Sequence, residues 1–512
     1  MRKFIPDKLF NSKSSEKSFG FRRLTNLTVL IVSLGLLFAA CDEDPLGLDD
    51  DPDDDPSQVE VEASFTVEPE NPITGDEIEL DASSSSVANN GDLSYSWALT
   101  SPTGSDAELI NTDEVNTSFT ADEAGEYDVD LTVSANGETD ETSTTVEVSA
   151  EEEVSSDITE DRTFTSDVTY IVTRSIDIEA ILTIEPGTTI LFEPDTDLQV
   201  RGTAAALVAD GTEEDPILFT STVEQPGAWN GIYVRSSTNQ NNVLNWVTVE
   251  YGGGEDFFRA GSGNVIVGRD ESSIDITNST LRQSESYGLR VKSNSDVPTF
   301  ENNTITENED APVNMSANHV HRLDAGSSFT GNDSDYIWVR SGGSHTINDN
   351  DVTWENLDVD YRIRGGNAVE IQNNVTLTIE PGATLEFESD SYIELREQGG
   401  LVADGTEADP IVFTGTTEQA GWWNGIYVRE TTNPENKLNW VTVEYGGGED
   451  FFRAGSANVI VGRDDSSIDI TDSTIKHSGS DGLWVKSNST VNDDACDVNT
   501  FENNSGGDCV IN

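Results

Sequence analysis

Basic residues, histidine and sulfur are scarce in this 512-residue chain: Lys and Arg number 27 against 97 Asp and Glu, with 4 His, 3 Cys and 2 Met. The formal charge of −70 repels nucleic acid phosphates and speaks against a nucleic acid or other polyanion partner. Three cysteines are too few for a disulfide-rich scaffold. With 42 Gly and 35% hydrophobic residues, the composition points away from helical bundles and toward turn-rich β structure. No apolar run is long enough for a comfortable transmembrane helix, and the length is too great for one compact core. Two or more domains, or an elongated repeat array, are expected.

Seven of the basic residues (Arg2, Lys3, Lys8, Lys13, Lys17, Arg22, Arg23) precede the uncharged run Leu27 to Ala40, an arrangement that suits a secretory leader. The run ends in Leu37-Phe38-Ala39-Ala40-Cys41, which resembles a bacterial lipobox with Phe38 in place of the usual Leu. That resemblance implies removal of residues 1–40, lipidation of Cys41 and a membrane partner through the lipid. The following DEDPLGLDDDPDDDPSQ, residues 42–58, repels itself and contains helix-breaking Pro, so 41–57 reads as a solvated acidic tether. Acidic residues after a lipidated cysteine resemble surface-export signals in some bacteria and inner-membrane retention signals in others. The expected address is therefore exported and membrane-anchored, at the outer membrane or cell surface, with the leaflet open.

Taking the leader's seven basic and two acidic residues from 27 and 97 leaves 20 and 95, a balance of −75. This dispersed acidity resembles that of proteins from high-salt habitats, where ions screen the self-repulsion. Calcium is the rival explanation, although the sequence holds no EF-hand or nonapeptide calcium repeat. No other cofactor is expected.

Residues 58–149 carry short alternating runs, among them Ala63 to Val67, Glu77 to Leu80, Leu93 to Trp97, Tyr127 to Val133 and Thr144 to Val148. Their spacing fits a β-sandwich of about seven strands. Trp97 sits where such sandwiches bury a tryptophan, and Ala124-Gly125-Glu126-Tyr127 resembles a tyrosine corner. The stretch resembles a PKD domain with SYSWALTSPTGSDAEL replacing the family's WDFGDG, which implies an immunoglobulin-like spacer or adhesive unit without catalysis.

From about residue 157 the chain repeats itself. LTIEPGTTILFEP from Leu182 returns at Leu377, 195 residues on, and WNGIYVR from Trp229 returns at Trp423, 194 on. Leu244 to Asp270 and Leu438 to Asp464 differ only at Gly263 and Ala457. A duplicated large unit with smaller pulses inside it signals a solenoid. The phrases LTIEPGT, LVADGT…DPI.FT, W.GIYV and V.YGG resemble right-handed parallel β-helix proteins related in fold to pectate lyases. The expected fold is thus all-β: a sandwich, then a β-helix with unit 1 at 157–310, connecting coils at 311–355, and unit 2 with a terminal cap at 356–512.

That fold hosts lyases, hydrolases, adhesins and stalks alike, so chemistry has to be sought in the residues. The Gly-His-Gly and Arg-Ile-Lys segments of polygalacturonases are missing, and the four histidines, His319, His321, His345 and His477, lie apart from any such frame. His319 and His321 fit a polar strand face better than a metal pair. If successive pulses stack directly, one outward column reads Tyr233, Thr248, Asp275, Arg290 and the next Arg235, Glu250, Thr277, Lys292, with Arg235–Glu250 and Asp275–Arg290 as pairs. In unit 2 the candidates become Tyr427, Arg429, Glu444, Asp469, Trp484 and Lys486. They read either as a salt-bridged solvent face or as a saccharide-binding strip with Tyr427 and Trp484 as exposed platforms. A lyase would use Arg290 or Lys292 as base beside a calcium carboxylate. If the strip binds a polymer, two similar sites would lie about 40 Å apart along one rod.

YGGGEDFFRAG, at Tyr251 and Tyr445, is a further candidate loop, with Glu255, Asp256 and Arg259 holding either a ligand or the loop itself. Cys496 and Cys509 are expected to pair and cap the last coil. Phe300 and Phe501 stand 201 apart rather than 194, which reads as a seven-residue insertion bringing Cys496. The resulting expectation is a non-catalytic cell-envelope lipoprotein presenting a surface for adhesion or for an extracellular glycan. The alternative is a polysaccharide lyase or glycosidase.

Overall fold

A computed structural model describes residues 61–512 except 89–90, 255–260, 293, 341–345, 348–349, 367 and 449–454. Cys41 and the loop residues Glu255, Asp256, Phe257, Phe258 and Arg259 lie outside the described residues.

The sandwich forms from two three-stranded antiparallel sheets, Thr66–Glu68/Glu77–Asp81/Asn116–Thr120 and Ser94–Thr100/Gly125–Ala135/Glu138–Val148, plus the short pair Val61–Glu62 and Ser86–Val87. Alternation sends Ile78, Leu80, Trp97, Phe119, Val129, Leu131 and Val146 into one core. Trp97 Nε1 donates to the Glu114 carbonyl at 3.0 Å, which satisfies the indole while its ring is buried. Tyr127 makes the expected corner: its hydroxyl donates to the Glu123 carbonyl at 2.9 Å and accepts from the Glu123 amide at 3.2 Å.

The strand Ala150–Val154 follows the sandwich directly and pairs in parallel with Val168–Val172, so the solenoid ladder begins ahead of the expected residue 157. Each coil contributes strands in turn to three faces; in unit 1 the first runs from Arg162–Phe164 to Phe300–Glu301 and the second from Val168–Val172 to Thr304–Thr306. The third face is one continuous parallel sheet of thirteen strands, from Ile176–Ile178 to Thr500–Glu502. Inward aliphatics and aromatics from every face fill one core, in which the Trp229 indole stacks on Phe192 at 3.9 Å and Trp423 on Phe387 at 4.1 Å. Gly231 and Gly425, at φ of 101° and 99°, turn the chain into the strand that follows each tryptophan. A Cβ at either position would collide with a carbonyl oxygen of the next rung, that of Gly263 or of Ala457.

The duplication is not a whole number of coils. Seven rung steps on the thirteen-stranded sheet lead from Ile232–Arg235 to Ile411–Gly415, and the copy of Ile232–Arg235, which is Ile426–Val428, comes one face later. Unit 2 is therefore turned by one face of three relative to unit 1. The second-face strands of unit 1 (Ile217–Ser221, Val247–Glu250, Thr280–Arg282) have their copies on the thirteen-stranded face (Ile411–Gly415, Val441–Glu444, Thr474–Lys476). Between the copies, the coil running from Val313–Met315 to Tyr336–Val339 carries the 3-10 turn Ala317–Arg322 where other coils carry strands.

Cys496 and Cys509 are disulfide-bonded with Cα atoms 5.7 Å apart, tying the short helix Ala495–Val498 to the last strand, Cys509–Ile511. The seven-residue insertion is corrected. Phe501 stacks on Ile475, the place that Ile305 takes on Leu281, whereas Phe300 stacks on Ile276 of another face. Asn499 bonds Ser473 as Asn303 bonds Ser279, an offset of 196, so the coil gains two residues over the usual 194. The shared Phe-Glu-Asn-Asn lettering had aligned two different faces.

Candidate functional site

The outward columns are set by coil length, not by the spacing of neighbouring pulses. On the third face Tyr233 is followed by Ile266, Arg290, Asn314, Trp338, Arg362 and Glu386, mostly 24 residues apart. Sequence-adjacent strands turn onto different faces, which corrects the expected strip. Of its first-unit members, Tyr233, Arg235, Arg290 and Lys292 belong to the third face, Glu250 to the second and Asp275 to the first. In unit 2, Tyr427, Arg429, Trp484 and Lys486 share one face while Glu444 and Asp469 each lie on another.

The expected pairs Arg235–Glu250 and Asp275–Arg290 accordingly give way to rung-to-rung partners. Arg235 Nη1 donates to Gln199 Oε1 at 3.3 Å and its guanidinium lies 5.8 Å from the Tyr233 ring. Glu250 is buried, accepts from Thr220 Oγ1 at 2.8 Å and meets Arg282 at 2.6 Å. Asp275 accepts the Thr299 amide at 2.9 Å. In unit 2, Arg429 joins Glu394 at 2.6 Å and Glu430 at 2.8 Å, and Glu444 joins Lys476 at 3.1 Å.

The aromatic platforms are corrected too. Tyr427 is 1% exposed and packs with Ala457 and Ile460, with half-buried Tyr392 and Trp484 against them; Lys486 lies 4.9 Å from the Trp484 ring. Tyr233 is 6% exposed beside Ile266. Burial pushes both phenols above their usual range. The distance between copies becomes seven and a third coils, about 35 Å along the axis, and the two copies face different ways.

Asp275 and Asp469 each line a groove, beside the loops at 236–242 and 430–436 respectively. The first groove, about 410 Å³, is also lined by Thr238, Asn239, Asn242 and Ser273, and the second, about 530 Å³, by Thr376, Glu435, Asn436 and Lys437. His319 bonds Ser316 Oγ through Nδ1 at 3.0 Å, inside the 3-10 turn and not on a strand face. Among the described residues no group of three or more His, Cys, Asp or Glu is gathered to hold a metal ion.

What the spacing of neighbouring strands missed stands where the connecting coils run into unit 2. Tyr336, Trp338 and Arg340 leave one rung outward, and Asp360, Arg362 and Arg364 leave the next. The Tyr336 and Trp338 rings are 5.3 Å apart, and Arg362 covers Tyr336 at 3.8 Å while binding Glu386 at 2.6 Å. Tyr287 belongs to the same face two coils earlier; burial and the neighbouring Asp310 push its hydroxyl up to about 12. The 24-residue recurrence of Arg290, Asn314, Trp338 and Arg362 was the available signal, obscured because coils elsewhere run longer, as from Tyr233 to Ile266.

This architecture defines an immunoglobulin-like sandwich followed by a parallel β-helix. Residues 69–148 match a PKD domain family. Residues 156–266 and 345–461 match the pectate-lyase like beta helix domain, and 264–398 the right handed beta helix region. The chain thus carries a PKD domain and pectate-lyase-like right-handed β-helix domains. Neither the curated proteins nor the solved structures give a match.

Proposed function

We propose that the protein is an exported cell-envelope lipoprotein, anchored through Cys41, whose β-helix is a non-catalytic surface for adhesion or glycan binding. The observation that carries this reading is the state of four outward glutamates. Glu250, Glu386, Glu394 and Glu444 are each engaged by a basic residue of a neighbouring rung. A general acid or base needs a carboxyl group free to exchange a proton with substrate, whereas these hold rungs together. A fixed sheet of thirteen rungs with hydroxyl, amide and aromatic side chains along it suits display and recognition.

Two measurements test the reading. Cys41→Ser should release a soluble protein, and continued membrane fractionation with no lipid label on the wild type would remove the anchor. A panel of neutral and acidic polysaccharides, with and without calcium, should be bound and left intact. Unsaturated or reducing ends appearing with time would make the β-helix a lyase or glycosidase instead.

A further inference from the structure

The mature region has 20 basic residues, and five of them, Arg290, Lys292, Arg340, Arg362 and Arg364, stand on one stretch of the thirteen-stranded face. Elsewhere arginine and lysine are spent on carboxylates, as in Arg162–Glu152, Arg174–Asp157, Arg322–Asp296 and Arg396–Glu370. With 95 acidic residues available, an arginine lacking a carboxylate is unusual here. Arg340 and Arg364 are two such residues: neither side chain makes an ion pair or a hydrogen bond among the described residues, and they stand on adjacent rungs, each one position past the paired residues Val339 and Ile363.

Arg364 is exposed and Arg340 half-buried. Burial and the like charges of Arg290 and Arg364, opposed only in part by Tyr287, hold Arg340 below the ordinary guanidinium range. Trp338 and Tyr336 emerge from the same rung as Arg340, at alternate positions, so aromatic rings and guanidinium groups line one side of the sheet. On the preceding rung Asn314, the register partner of Trp338 in the same outward column, is buried with its side-chain carbonyl unbonded among the described residues.

We infer that the juxtaposed Arg340 and Arg364, with Trp338 beside them, form a binding site for a saccharide unit bearing an oxyanion, either a carboxylate or a sulfate ester. Planar guanidinium forks match both oxyanions, and an indole face offers a sugar ring an apolar platform. The charge of −70 does not prevent this, because at physiological salt fields fade over about 8 Å and a short ligand experiences its immediate surroundings. The inference rests on the glycan-binding reading above and names its ligand class and its place.

The test is titration calorimetry of the full chain at about 0.15 M salt with four probes of similar length: a sulfated oligosaccharide, an oligouronate, a neutral oligosaccharide and oligo-aspartate. One or both anionic saccharides should bind, and which of them binds identifies the oxyanion. Arg340→Gln and Arg364→Gln should each weaken that binding roughly tenfold or more, with the circular dichroism spectrum unchanged. Trp338→Ala should weaken the saccharides while leaving any oligo-aspartate binding as it was. Undiminished binding by the double arginine variant would overturn the site, and equal binding of oligo-aspartate would overturn its saccharide character. If only neutral sugars bind, this inference fails and the glycan-binding reading survives; if no saccharide binds, both fall.

Discussion

At the same point of the coil the first copy joins Arg235 to Gln199 and the second joins Arg429 to Glu394. The surrounding letters are nearly the same, yet one contact is a single long hydrogen bond to a neutral amide. The other is an ion pair whose side chains are 12% and 3% exposed. A second pair of positions diverges likewise: Arg290 in unit 1 is Trp484 in unit 2, which turns a basic patch into part of an apolar outer cluster with Tyr427 and Ile460. Duplication conserves the inward ladder, because packing tolerates little change there. The outward columns are free to drift, and the one-face turn places the drifted surfaces on different sides.

The largest expected asymmetry lies in that first contact. Arg429→Met leaves the Glu394 carboxylate buried without its partner and should cost about 3–5 kcal/mol. Arg235→Met loses a hydrogen bond to an amide and a distant contact with the Tyr233 ring and should cost about 1 kcal/mol. Hydrogen exchange at Ile426–Val428 and Ile232–Arg235 reads the two effects locally, and equal losses would erase the distinction between copies.

The fold was legible because its signals are local and repeated: alternating inward aliphatics, glycine turns, the Trp97 and Tyr127 positions of the sandwich, and the long self-match. The site was not, for a geometric reason. Alternation within a strand tells which residues point outward, but it does not tell which strand lies beside it. That neighbour stands a whole coil away, and coils range from the 18 residues between Ala150 and Val168 to the 35 between Val208 and Val243. Reading consecutive strands as neighbours joined Glu250 to Arg235, when its partners are Thr220 and Arg282. The same shortcut hid Arg340, on the connecting coils, and Arg364, just past the strand Asp360–Ile363 at the start of unit 2.

The terminal disulfide offers a second, somewhat smaller contrast. Cys496→Ser with Cys509→Ser releases a constraint closing a loop 13 residues long, an effect of about 3 kcal/mol in the chain-entropy treatment. Exchange should quicken at Cys509–Ile511 and leave Thr304–Thr306 of the first copy unchanged. Loss of protection spreading to unit 1 would mean that the cap holds the whole solenoid.

The smallest effect belongs to the turn between the copies, which has no counterpart in either. Burial, with Arg322 and His319 nearby and Asp296 only partly opposing them, pushes His321 below its usual value. The folded chain therefore takes up this proton less readily than the unfolded chain. Stability from this group is complete above the unfolded value of about 6.5 and declines as pH falls through it toward the lower folded value. Melting temperature should drop between pH 7 and pH 5, and His321→Gln should flatten that slope. An unchanged slope would assign the acid sensitivity to carboxylates.

The copies meet through one continuous face, so that the third-face column of unit 1 runs on into a column built from second-face strands of unit 2. Cysteine pairs at Lys292 with Ser316, Ser316 with Arg340, and Arg340 with Arg364 test it rung by rung, since adjacent parallel strands bring Cα atoms to about 4.8 Å, within disulfide range. All three pairs should oxidise readily in the folded protein. Ready formation of the first with failure of Arg340→Cys to join Arg364→Cys would contradict the one-face turn, and with it the placement of Arg340 and Arg364 side by side.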